Sequence, residues 1–186
     1  MKASLPENNE MLRQEIYDGH IFKIPAQDIS LQLVEKINCL LEAEFKTIPL
    51  RRIHETIAYG KMNERVASLR RSLADDAEYH ADLAKLIEKY GFKPQENAFD
   101  PLRLRVIYHD GHLSKGSERA YALHRDTWFG NPQSQVNWWI PLCDVNEEDS
   151  FAFYPDYFDA PVANTSSQFD FGKWMEVVGW QGMKGG

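Results

Sequence analysis

The chain has 186 residues, 43% of them hydrophobic and 26% charged, with a 12% aromatic share and a formal net charge of −7. This composition suits one globular domain with a real core and excludes a disordered chain. The acid excess, with no long basic run, argues against a nucleic-acid partner. The opening MKASLPENNEML lacks the apolar centre of a signal peptide, and no stretch approaches membrane-spanning length. Cys39 and Cys143 are far apart and form no Cys-x-x-Cys pattern, so a reduced, cytoplasmic protein is expected.

In chain order, residues 16–24 alternate around Gly19, which predicts a short strand or hairpin. From Asp28 the spacing of Leu33, Val34, Ile37, Leu40 and Leu41 predicts an amphipathic helix, with Asp28 or Ser30 as its cap. A second helical region is predicted from about Asn63 to Tyr90. Val66, Leu69 and Leu73 form one stripe, Leu83, Ile87 and Tyr90 another, and Gly91 ends the run. His80 falls on the face of Leu83 and reads as a packed residue rather than a ligand. Basic residues pair at Arg51–Arg52 and Arg70–Arg71 with acids close by, and both pairs read as solvated faces.

Beyond residue 100 the texture turns to period two. Residues 102–109 and 119–124 flank the turn-rich DGHLSKGS as a predicted hairpin, and residues 135–142 and 151–155 read as further strands. The expected fold class is α+β with a mostly β core. Helical flanking parts span about 1–95, a β part about 100–160, and a tail 160–186, all within a single domain.

The chemistry concentrates at His124-Arg125-Asp126. Residues two apart on a strand face the same way, so an imidazole nitrogen and a carboxylate oxygen can converge on one ion. An H-x-[DE] triplet arises by chance roughly once in a chain like this, so its surroundings must carry the claim. Here the triplet is followed by a strand containing Trp139, Pro141, Leu142 and Asp144, an acidic loop, and a run ending at Pro155. The segment 102–158 therefore resembles the phytanoyl-CoA dioxygenase-like branch of the Fe(II)/2-oxoglutarate oxygenases.

That resemblance implies a double-stranded β-helix (a jelly roll of the cupin-like kind) and an oxidoreductase that hydroxylates a small molecule. It implies His124 and Asp126 as iron ligands, with Fe(II) and 2-oxoglutarate as cofactors. Asn137 and Trp139, on one face of their strand, are candidates for lining the cofactor pocket, or else a strand amide and a core tryptophan. Arg103 and Arg105, also on one face, can meet a carboxylate bidentately or serve as plain surface arginines.

After Asp126 the chain holds no histidine and no arginine; Lys173 and Lys184 are its only basic residues there. The distal histidine and arginine of the family pattern are thus missing, and an incomplete β-helix is expected. Three readings stay open: a shortened family member, a natural short relative that binds a ligand or partner without metal, or a third ligand from His109, His112 or a neighbouring subunit. An unpaired sheet edge, or an aromatic tail around Trp174, Val177, Val178 and Trp180, would favour a homodimer. A cupin-like isomerase or sugar-binding jelly roll ranks last, because only His124 sits firmly on a predicted strand.

Overall fold

A computed structural model describes residues 1–46, 48–113 and 121–178. Five α-helices appear among them: α1 (Asn9–Tyr17), α2 (Asp28–Phe45), α3 (Tyr59–Asp75), α4 (Ala77–Lys89) and α5 (Phe171–Val178). Short 3₁₀ turns punctuate the remainder. The chain divides into two compact units. The first comprises Met1–Asn38, Glu78–Phe99 and Ser134–Ala163, and the second Cys39–Ala77, Asp100–Gln133 and Asn164–Gly186.

The first unit begins with α1, whose cap is local chemistry. The Asn8 side chain accepts a hydrogen bond from the Met11 amide at 2.9 Å, satisfying one orphan donor of the first turn. Gly19, at φ +84°, ends α1 by letting the Gly19 and His20 amides reach back to the carbonyls of Ile16 and Glu15. The predicted strand over 16–24 is therefore not formed. Its pairing is one isolated parallel bridge between Lys2 and Phe22. In α2, Ser30 accepts from the Gln27 amide at 2.8 Å, so Ser30 rather than Asp28 makes the hydrogen bond that closes the helix entry.

Leu12, Leu33, Ile37, Tyr79, Leu86 and Phe92 are the buried apolar residues of this unit. Leu33 and Ile37 stand four apart on α2 and bring one face inward. On α4 the buried stripe is Tyr79 and Leu86, while Leu83, Ile87 and Tyr90 are half-buried. His80 is packed as expected, with its Nε2 buried and lacking a hydrogen-bond partner among the described residues.

α4 ends at Gly91 (φ +90°) in a paired closure: the Gly91 amide bonds to Glu88 O at 2.9 Å and the Phe92 amide to Ile87 O at 3.2 Å. A Cβ on Gly91 would meet nothing within 4 Å, so the positive φ alone sets the cost of adding one. Gly91→Ala is expected to lower stability by about 1 kcal/mol, read from the urea midpoint at unchanged slope.

Charges hold α2 and α4 together within the same unit. Lys36 Nζ lies 3.0 Å from Glu78 and 3.0 Å from Asp82, and 4.5 Å above the Tyr79 ring. The Lys36 ammonium holds the Asp82 carboxyl below its ordinary range, and hydrogen bonds to Glu78 and then Asp82 raise Lys36 above its own. The Asp82 contribution is present above the unfolded carboxylate pKa and lost as pH falls through the depressed folded value. The Lys36 contribution is present below the unfolded ammonium pKa and lost as pH rises through the raised one. The stability difference between wild type and Lys36→Met is thus expected to persist at neutral pH. It should shrink below about pH 4 and above about pH 10, as measured by urea unfolding across pH.

In the second unit the buried apolar residues are Leu41 and Phe45 of α2, Ile53, Met62, Val66, Leu69 and Leu73 of α3, and Leu104. Met62, Val66, Leu69 and Leu73 follow the i, i+4, i+7, i+11 spacing of one helical stripe. Asp76, with ψ 113°, leaves helical geometry, so the single helical region expected from Asn63 to Tyr90 is two helices.

The mostly β, double-stranded β-helix expectation is overturned. Among the described residues there is no strand and so no sheet edge for a dimer to use. The reason is visible in the carbonyls. Arg70 Nε donates to Leu104 O at 2.9 Å, the Tyr121 hydroxyl to Tyr108 O at 3.1 Å, and Asn38 Nδ2 to Leu142 O at 3.1 Å. Side chains thus take acceptors that a neighbouring strand would have used. The β-patterned runs are also divided: residues 102–109 belong to the second unit, and 135–142 and 151–155 to the first. Part of the predicted 119–124 run and the side chains of Val177, Val178 and Trp180 lie outside the described residues. No helix among the described residues is long and apolar enough to cross a membrane.

Candidate metal centre

His124 and Asp126 lie at the entry to a short 3₁₀ turn, Asp126–Phe129, in the second unit. Between them Arg125 is extended (φ −109°, ψ 140°), which sets the flanking side chains on one side of the backbone as a strand would. His124 Nε2 stands 3.4 Å from Asp126 Oδ1. The other ring nitrogen is occupied: Nδ1 lies 2.7 Å from Ala122 O, to which it donates, so Nε2 is the nitrogen that faces the carboxylate. Metal-binding histidines are commonly oriented by this kind of backbone hydrogen bond.

The turn is fixed from several directions. Gly130 closes it in the left-handed region at φ +79°, and Asn131 Nδ2 donates to Asp126 O at 3.0 Å. The Phe129 ring packs edge-on to His124 at 5.5 Å and to Phe169 at 5.4 Å. Arg103 pairs with Asp100, and its field reaches Asp126. Burial pushes this guanidinium down while the two carboxylates push it up.

The donor set fits two positions of a divalent metal's shell. One imidazole nitrogen and one carboxylate oxygen converge, and among the described residues no group of three His, Cys, Asp or Glu gathers around an ion. The alternative third ligands are engaged elsewhere. His109 stacks on His54 at 4.3 Å between centroids with 22° between planes, and lies 3.4 Å from Asp110. His112 packs edge-on to Tyr121 at 5.7 Å. The His54–His109 stack was not legible in the sequence, because its members come from two distant segments. Beside it, the hydrogen bond from Arg52 holds the Glu55 carboxyl below its ordinary range.

The other sequence candidates are Asn137, Trp139 and Arg105. Asn137 and Trp139 belong to the first unit, where Asn137 Oδ1 accepts from Gln135 Nε2 at 2.7 Å. Trp139 is half-exposed and packs edge-on to Phe151, whereas Trp138 contacts Tyr90 and Phe92. Arg105 is exposed in the second unit. Comparison with protein-family models, with curated proteins and with solved structures found no match.

Proposed function

We propose that the chain carries the proximal ligand pair of a non-haem Fe(II)/2-oxoglutarate-dependent oxygenase site acting on a small molecule, with His124 and Asp126 as the protein donors. The observation that supports this is the convergence of His124 Nε2 and Asp126 Oδ1 at 3.4 Å, with Nδ1 tied to Ala122 O. Bound iron would supply the activation of dioxygen coupled to oxidation of 2-oxoglutarate. The chain's own part is narrower. The Ala122 carbonyl fixes the ring tautomer, the turn closed by Gly130 holds the carboxylate beside it, and Phe129 covers one edge of the imidazole. With two protein donors the remaining positions fall to water and cosubstrate, so weak iron binding and slow turnover belong to the proposal. A cytoplasmic setting also belongs to it, in keeping with Cys39 and Cys143, which are both free.

The direct assay is conversion of 2-oxoglutarate to succinate followed by NMR. Slow, Fe(II)-dependent formation that disappears in Asp126→Ala supports the reading. Formation equal in the variant, or none at saturating Fe(II), contradicts it.

A second reading is favoured by an exposed aromatic series in the first unit. Trp139, Phe151, Phe153 and Phe158 follow one another edge to face, with centroids 5.0, 5.1 and 6.4 Å apart. The first three are each about half exposed. Such a patch suits a metal-free binding or self-associating protein. Sedimentation decides: concentration-dependent association lost in Phe151→Ser favours this reading, and a monomer at all concentrations removes its self-associating form.

A further inference from the structure

The exposed aromatic series of the first unit closes two acidic loops. Trp139 meets Phe151 edge to face at 5.0 Å, so residues 140–150 form a loop whose ends touch. That loop carries Asp144, Glu147 and Glu148, all exposed. Phe153 meets Phe158 at 6.4 Å and closes a second loop around the 3₁₀ turn Pro155–Tyr157. It carries Asp156, and Asp159 follows Phe158 directly; both are exposed. Phe151 and Phe153, 5.1 Å apart, join the two closures into one surface.

The backbone under these rings is braced within the same unit. Trp138 packs against Tyr90 and Phe92, and Asn38 Nδ2 donates to Leu142 O at 3.1 Å. The Tyr157 and Phe158 amides bond to the Tyr154 and Pro155 carbonyls. Pro155 seats against Gly19, where an added Cβ would lie 3.1 Å from Pro155 Cβ.

Charge gives this surface a direction. Residues 134–163 hold six acids and no lysine, arginine or histidine. Cations from the unit's other segments are drawn elsewhere: Lys2 pairs with Glu15, Arg13 with Glu10, and Lys36 with Glu78 and Asp82. No ion pair among the described residues reaches Glu147, Glu148, Asp156 or Asp159. Aromatic faces carry negative potential, so rings and carboxylates alike favour a cation. A guanidinium suits both, since its plane stacks on a ring while its fork meets a carboxylate.

We propose, resting on the metal-free binding reading of this series, that it docks a basic, arginine-bearing segment of a partner protein. The guanidiniums lie on the rings of Trp139, Phe151 and Phe153, and the two acidic loops answer their charge. Nucleic acid and anionic lipid surfaces are repelled by the same carboxylates. A second copy of the chain would set like charges opposite one another in a two-fold contact, which makes it the poorer occupant.

The test is calorimetric titration of the full chain with a peptide of alternating arginine and glycine, and with the same peptide carrying citrulline for arginine as its neutral twin. The arginine peptide is expected to bind at least about tenfold more tightly than its twin, and to weaken as salt is added. Phe151→Ser and Asp156→Asn/Asp159→Asn change exposed positions, so folding can be checked by circular dichroism, and each is expected to lose at least about tenfold in affinity. Glu7→Gln/Glu64→Gln, a matched loss of two exposed acids elsewhere, should bind like wild type. Equal binding of the two peptides, dependent on Phe151, overturns the basic partner and leaves the binding surface standing. An equal loss in Glu7→Gln/Glu64→Gln reduces the effect to net charge and overturns it as well. No binding of the arginine peptide also overturns it. Sedimentation then separates the cases: association lost in Phe151→Ser makes a second copy the occupant, and a monomer together with no binding of either peptide removes the binding reading too.

Discussion

Leu73→Ala is expected to cost about 3 kcal/mol of folding stability, the largest effect of any single truncation considered. Leu73 is only 1% exposed and closes the stripe that Met62, Val66 and Leu69 begin on α3. Removing the isopropyl end of its side chain takes away the transfer free energy of three methyl-sized groups and leaves a cavity that a helix surface cannot fully collapse. Leu31, 55% exposed on α2, provides the contrast, since its truncation is expected to stay within about 0.5 kcal/mol. Urea unfolding followed by circular dichroism measures both. Equal effects at the two positions would mean that the helical stripes are wrongly oriented.

Much of that helical register was legible because it needs only local information. Leu33, Ile37 and Leu41 recur at helical spacing, and the fourth member, Phe45, extends the same row to the end of α2. Asp76 was harder to see. One residue leaving helical geometry splits a region whose apolar pattern runs on through Leu73 and Leu83, and pattern alone does not register a single break.

The β expectation failed for an instructive reason. Alternation from Leu102 to Tyr108 correctly separated inward from outward residues: Leu104 is buried and Leu102, Val106 and Tyr108 are half-buried, while Arg103, Arg105 and Ile107 are exposed. Period two reports an extended backbone with two unlike faces. It does not report a ladder, which requires a second strand to accept the same amides and carbonyls. Here Arg70 takes the Leu104 carbonyl from a helix. The candidate site divides in the same way. The His124–Asp126 pair was legible because an extended Arg125 makes i and i+2 neighbours. The Arg103–Asp126 interaction, the Arg70–Leu104 hydrogen bond and the His54–His109 stack depend on tertiary placement that no spacing encodes.

His124→Ala is the second large effect. If Nε2 is a metal donor, its loss removes half of the protein's contribution to the ion, and Fe(II) affinity is expected to fall at least about 100-fold. The fold should survive, because the side chain is part-exposed and its contacts are local: the Asp126 carboxylate, the Ala122 carbonyl and the Phe129 ring. A stability role and a ligand role therefore separate: the first predicts a lowered melting temperature without metal, the second an unchanged one. His124→Gln retains an amide that can keep hydrogen-bonding locally, yet it is a poor iron ligand. It is expected to behave like His124→Ala toward metal and like wild type in melting.

The most direct measurement is an anaerobic titration of the full chain with Fe(II) in the presence of 2-oxoglutarate, followed by visible absorption. A metal-to-ligand charge-transfer band is expected that saturates at about one iron per chain, at high micromolar concentration or above, and that is absent in both His124→Ala and Asp126→Ala. No band at any iron concentration, or a band that persists unchanged in either variant, would contradict the assignment of His124 and Asp126 as the iron-binding pair.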